Sequence, residues 1–437
     1  MNQSHRPWIA APVGEKLFTA LERFLHVEAA GGIVLLIAAA LALVWANSPW
    51  AASYDALWHA PVTFGVGTFI STQSLHFWIN DGLMTIFFLV VGLEIRREIH
   101  EGALSSLGMA AVPLIAATGG VIVPALIYSA FNMDPPTQQG WAVPTATDIA
   151  FAVGILALLG KRVPPVVRVL LLALAIIDDI AAILVIAFFY SSGVKLAGLA
   201  ITAAGIVGVL LFQRMAIRSP FAYLIPGAVV WGGLLYAGVH PTLAGVALGL
   251  MTPVVPLAGR DNPLQMANRA LESFRASTEL EPVQQLGRAQ QQLIAPVLSV
   301  QAVLHPWVAY GIMPLFALAN AGVSLQGLSF ADPDAISIGL GIVFGLVIGK
   351  PLGIVALTLI AARLGWCVLP TGIDARSLAV VGCLAGIGFT MSIFISNLAF
   401  TDVALLGAAK LAVLVASLVA GVVGLIVGAA VFKQAAK

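Results

Sequence analysis

The chain has 437 residues, 60% of them hydrophobic and only 9% charged, with a mean hydropathy of +1.01, which excludes a water-soluble globular domain. Apolar stretches of about 18 to 25 residues recur from Ala29 to Phe432, each long enough to cross a hydrocarbon core as a helix, and none alternates as a barrel strand would. A formal net charge of +1 gives no basis for a nucleic-acid partner, which calls for a clustered basic face.

The first 28 residues, MNQSHRPWIAAPVGEKLFTALERFLHVE, carry charges throughout. The apolar run behind them is too long for a signal-peptide core, so residues 1–28 read as a cytoplasmic tail. Twelve spans are then expected, at about 29–46, 77–99, 110–131, 141–160, 166–190, 196–213, 220–237, 239–253, 303–325, 336–361, 377–398 and 404–432. Between the first two, the loop 48–69 has aromatic and β-branched residues around Gly65 and Gly67, which suit an external hairpin and an irregular interfacial loop equally. The loop 254–302 is Gln-rich and mixed in charge, and reads as a solvated, partly helical linker. Residues 29–432 thus make one transmembrane domain, followed by a cytoplasmic end at 433–437. The fold class is an all-α polytopic membrane protein.

Orientation follows from lysine and arginine. With the N-terminus inside, 18 of the 21 basic residues fall on the cytoplasmic side, Lys195 alone lies outside, and Lys350 and Lys410 lie within spans. That alternation predicts cytoplasmic locations for both termini. The two cysteines, Cys367 and Cys383, stand in no metal-ligand spacing, so neither a disulfide framework nor a zinc site is expected, and no cofactor is called for.

Charges near span ends, such as Asp81 and Glu94 to Glu98, can reach water, and Lys410 can snorkel. Deeper charges need a reason, because one at a helix centre costs about 2.5 to 3.5 kcal/mol on insertion scales. They are Asp148, Asp178, Asp179 and Lys350. Asp178 and Asp179 stand side by side in ALAIIDDIAAILV. Adjacent helical residues diverge by about 100 degrees, so a single structural partner cannot satisfy both. Repulsion and desolvation let at least one of them hold or release a proton near neutral pH. Ionised, they offer the hard oxygens that a small alkali cation needs in place of water. Proton and cation would then compete for the same atoms, which is the simplest chemistry of antiport.

In GWAVPTATDIAF, Pro144 removes a helical donor while Thr145 and Thr147 supply oxygens beside Asp148, so a broken helix is expected. In CLAGIGFTMSIFISN, Gly386 and Gly388 sit mid-span beside Thr390 and Ser392, a second place for the backbone to unwind. Two interrupted helices in separate halves point to a transporter site built from half-helix ends. Lys350, in GLVIGKPLGI, is too deep for an interfacial anchor, and Asp178 or Asp179 is its natural partner.

Two other classes can be weighed. An intramembrane aspartyl protease would place acids on two facing helices and carry GxGD, which is absent. A channel would need a continuous polar pore rather than one charged cluster. A transporter, not an enzyme, fits best, with another proton-coupled cation transporter as the alternative.

The stretches FFLVVGLEIRREI, GWAVPTATDIAF, ALAIIDDIAAI, LHPWVAY, FALANAGVSL, IGKPLGI and GIGFTMSIFI resemble the NhaA-type bacterial sodium/proton antiporter family, with weaker similarity from about 28 to 430. The resemblance implies twelve helices with inverted repeats and two discontinuous helices, the fourth and eleventh, crossing near the bilayer midplane. It implies a bacterial inner-membrane protein exchanging Na+ or Li+ for H+, with Asp179 the central ligand, Asp178 the partner of Lys350, and Thr147 and Asp148 at the crossing, where Asp148 offsets the positive helix ends. It implies a pH-response cluster of Glu94, Arg97, Glu98 and His305, with His240 a further position near the outer face, and a homodimer through the loop 48–69. The sequence departs where an acid is expected before LHPW: Gln301 stands there and cannot titrate. From spacing alone, Glu94, Arg97 and Glu98 suit a solvated helix-end network.

Overall fold

The computed structural model describes residues 30–66, 69–191, 193–215, 217, 219–255, 272, 295–325 and 332–433. The expected tail 1–28, the end 434–437 and most of the loop 254–302 lie outside the described residues. Almost everything described is helical, as it must be where no water is available to backbone groups.

Among the described residues, eight helices are long and apolar enough to cross a membrane: Leu75–Glu101, Gly108–Phe131, Pro165–Phe189, Leu196–Arg214, Pro220–Ala237, Pro296–Asn320, Pro333–Arg363 and Val403–Lys433. Three bent pairs raise the number to as many as eleven: Ala30–Ala46 with Ala51–Trp58, bent by 117°, Thr137–Thr145 with Ile149–Leu158, by 43°, and Ala375–Ala385 with Phe389–Ala399, by 50°. The expected span at 239–253 is instead a helix of nine residues, Leu243–Met251. At 1.5 Å per residue it is about 14 Å long, half of a hydrocarbon core. It packs on Leu75–Glu101 through glycine: a Cβ on Gly249 would lie 2.7 Å from the Gly92 carbonyl carbon. Gly119 and Gly353 likewise bring Leu107–Phe131 and Lys350–Arg363 into backbone contact, since a Cβ on either would overlap the carbonyl of the other.

The segment after the first bend takes the hairpin of the two expected forms, with a short helix ahead of it. It is a short helix, Ala51–Trp58, followed by antiparallel strands Pro61–Val66 and Phe69–Ser74, so the hairpin ends five residues later than expected. Gly67 lies outside the described residues. Thr63 and Thr72 pair across the strands at 2.9 Å, and the Phe64 ring packs edge-on to Trp78 at 4.9 Å, which seats the hairpin on the start of Leu75–Glu101.

Three of the long helices contain a wider turn, Trp78–Leu83, Val308–Ile312 and Gly345–Gly349. The last ends immediately before Lys350 and Pro351, where the missing proline N–H loosens the ladder. Such turns recur at functional positions, and here they interrupt the helices that carry Glu94, His305 and Lys350.

Candidate ion-binding site

The two breaks meet. The first half of one broken helix, Thr137–Thr145, stops one residue past Pro144, and residues 146–148 are non-helical before Ile149–Leu158 begins. In the other, Gly386 to Gly388 separate Ala375–Ala385 from Phe389–Ala399. Each break uses the other's polar groups: Asp148 N donates to the Ile387 carbonyl at 2.7 Å, and Ser392 Oγ donates to the Val143 carbonyl at 2.7 Å.

Asp148 caps both second halves. Its Oδ1 accepts Phe151 N–H at 3.1 Å, while its Oδ2 accepts Thr390 N–H at 3.0 Å and the Thr390 hydroxyl. Ser417, from Val403–Lys433, accepts Phe389 N–H at 3.0 Å. One carboxylate therefore faces two positive helix ends, the arrangement in which a buried negative charge is best tolerated.

Asp178 and Asp179 lie mid-way along Pro165–Phe189, 1% and 2% exposed, and point to different neighbours. Asp178 Oδ2 receives Lys350 Nζ at 2.5 Å and the Thr147 hydroxyl at 2.6 Å. Thr147 Oγ1 also receives Lys350 Nζ at 2.5 Å and lies 2.9 Å from the Ala385 carbonyl oxygen, so its one proton serves one acceptor at a time. Of the two acids that sequence offered Lys350, the geometry takes Asp178.

Asp179 faces the other way, into a cavity of about 50 Å³ that it lines with Asp148, Glu94 and His305. Oδ1 of Asp178 and Oδ1 of Asp179 are both buried without a hydrogen-bond partner. A buried carboxylate oxygen left in that condition is costly, and a bound proton or cation relieves it. The cavity exceeds the roughly 10–15 Å³ that one water occupies, so it has room for a partly dehydrated ion.

The positions tied by resemblance to pH response divide. Glu94 is buried and faces the cavity rather than water, which corrects the expectation of a solvated helix-end network. Arg97 sits between it and Glu98, at 3.8 Å and 3.3 Å, and donates to Gln301 Oε1 at 3.2 Å. His305 lines the cavity; His240 does not. His240 Nδ1 lies 3.6 Å from Asp81 and 3.1 Å from Thr242 Oγ1, with its ring against Phe394.

Sequence reading passed over the Ser417 cap and a group of asparagines, Asn80, Asn320 and Asn397, that are hydrogen-bonded together. Amide side chains within apolar spans were the available signal.

The family model described as Na+/H+ antiporter 1 matches residues 22–427, which include every residue of this crossing. The chain belongs to the Na+/H+ antiporter 1 family. It is 58% identical to the Na(+)/H(+) antiporter NhaA 2 of Pseudomonas putida over 98% of this chain and 96% of that relative. It is 58% identical to the Na(+)/H(+) antiporter NhaA of Cupriavidus necator over 95% of this chain and 91% of the relative. With the corresponding protein of Bartonella quintana it shares 50% identity, over 99% and 96%. A Na+/H+ antiporter of this family is a multi-pass membrane protein and a transporter, and the crossing is where its buried charge is concentrated.

Proposed function

We propose that the chain exports cytoplasmic Na+, or Li+, in exchange for external H+, electrogenically and by alternating access, with both ions competing for Asp179. The carrying observation is the division of labour between neighbours: Lys350 and Thr147 hold Asp178, while Asp179 offers an unpartnered oxygen to the cavity. A cation entering past Glu94 would meet hard oxygens of Asp179 and Asp148, and a proton leaving Asp179 would make room for its charge. Asp178 and Lys350 form a second exchangeable pair, since a proton or cation at Asp178 competes with the ammonium. Excess charge on the proton side makes the cycle responsive to membrane potential.

The finer architecture follows the same reading: twelve helices with Leu243–Met251 as the short one, an inverted repeat that pairs the two broken helices, and an inner-membrane location. Both termini and Glu94 then face the cytoplasm. The hairpin Pro61–Ser74 faces outward, where two copies would meet. Glu94, Arg97, Glu98 and His305 tune access to the cavity with pH. A protease is disfavoured because the acids beside Asp179 are already engaged: Asp178 holds Lys350, and Asp148 holds the N–H groups of Phe151 and Thr390.

Everted membrane vesicles with a preformed pH gradient test the proposal. Added Na+ should dissipate the gradient, and Asp179→Asn should abolish that response while leaving the protein in the membrane. Dissipation that survives the substitution would remove Asp179 from the mechanism.

A further inference from the structure

Three elements that line the cavity continue away from it in the same order. On Pro296–Asn320 the sequence of levels is Met313, Phe316, Asn320; on Phe389–Ala399 it is Met391, Phe394, Asn397; on Leu75–Glu101 it is Val91, Phe88, Asn80. Met313, Met391 and Val91 line the cavity. The three phenylalanines are each at most 1% exposed, and Phe394 is in ring contact with Phe88 at 5.4 Å and with Phe316 at 6.1 Å. An apolar constriction of this kind excludes water and ions.

Beyond the rings lies a layer of amides. Asn320 Oδ1 gathers donors from three side chains: Asn397 Nδ2 at 2.7 Å, His76 Nε2 at 3.0 Å and Asn80 Nδ2 at 3.3 Å. Asn320 Nδ2 returns a bond to Asn80 Oδ1 at 2.8 Å. Asn397 Oδ1, in contrast, is buried without a partner. One oxygen thus ties together three helices, while a neighbouring acceptor stands idle, so the network leaves one of its acceptors unused.

Resting on the alternating-access reading above, we infer that Asn80, Asn320 and Asn397 are positioning residues of the transport cycle: a latch that holds the phenylalanine layer shut on the outer side while the cavity is open on the Glu94 side. Phe389–Ala399 enters the latch through a single bond, Asn397 to Asn320. That bond is the one to part when the outer side opens, and Asn397 Oδ1 is then available to a new donor.

The test uses the full-length chain with Cys367 and Cys383 replaced by alanine and Met391→Cys as reporter, labelled by a membrane-impermeant maleimide. Right-side-out vesicles expose the outer face and everted vesicles the inner one. With the latch intact, Met391→Cys should label from inside and scarcely from outside. Adding Asn397→Ala, or separately Asn80→Ala, should raise the outside rate roughly threefold to tenfold, the shift that one net hydrogen bond carries, and lower the inside rate. Unchanged outside labelling in both variants, with inside labelling intact, overturns the latch. Loss of labelling from both sides in both variants also overturns it, because the amides would then be structural cement. Na+-driven dissipation by the parent chain, without the reporter or the latch substitutions, keeps the readings apart: a parent that shows no exchange sinks antiport, while a labelling shift in the variants still leaves the latch standing.

Discussion

Asp148 of the first broken helix and Thr390 of the second are joined twice, by the Thr390 N–H at 3.0 Å and by the Thr390 hydroxyl, both on Asp148 Oδ2. The hydroxyl bond is buried and made to a carboxylate, the kind worth about 1.5–3 kcal/mol. Thr390→Val should therefore destabilise the protein by about 2 kcal/mol, and Thr390→Ser should restore most of the loss. Thermal unfolding of the purified protein in detergent reads this directly, and equal stability of the two variants would show that the hydroxyl does not hold the breaks together.

Lys350 is 0% exposed and spends its charge on Asp178. Removing one member of such a pair strands the other charge, at a cost of about 3–5 kcal/mol, whereas removing both costs little. Lys350→Met should thus melt well below the parent, and Lys350→Met with Asp178→Asn should regain much of the difference. A double variant no more stable than the single would mean that Lys350 contributes through packing alone.

The competition proposed for Asp179 has a definite sign. If protons and Na+ share Asp179 as proposed, the apparent Na+ affinity should weaken as pH falls, by about tenfold per unit when one proton is displaced and about a hundredfold when two are. Transport rates measured against Na+ concentration at several pH values give the slope. An affinity independent of pH would be fatal to the shared site.

Outside the membrane, Asp374 caps Ala375–Ala385, and the Ser377 N–H and hydroxyl hold its carboxyl below the usual carboxylate range. A lowered folded value stabilises the protein above the unfolded value of about 3.9 and the benefit is lost as pH falls through the folded value. Asp374→Ala should cost about 1 kcal/mol at neutral pH and progressively less in acid. Equal losses at pH 7 and pH 3 would contradict a charged cap.

Much of the site was legible because charge is so rare in this chain. Asp148, Asp178, Asp179 and Lys350 stood out against apolar surroundings, and Pro144 with Gly386 and Gly388 marked where the helices break. What could not be read was direction. Glu94 stands at the start of a run of charges that ends Leu75–Glu101, so nothing in the sequence distinguished Glu94 facing a cavity from Glu94 facing water. Length misled at 239–253, where residues 239–242 and 252–253, each stretch holding a proline, are irregular backbone on either side of Leu243–Met251. The wide turn at Val308–Ile312 ends just before Met313 and Pro314, the same trace that Lys350 and Pro351 leave after Gly345–Gly349, whereas no proline follows Trp78–Leu83. Asn80, Asn320 and Asn397 were visible as single amides, but only folding brings them within hydrogen-bond reach of one another.

The backbone contact between Gly119 and Gly353 constrains any movement of the site. Where two helices touch main chain to main chain, no side chain can swing aside to let them slide, so the pair behaves as a strut. Lys350 lies three residues from Gly353 and is carried by it. Whatever displaces the ammonium from Asp178 must then move Asp178 past the strut or take up the motion at Gly345–Gly349, where the winding is already loose.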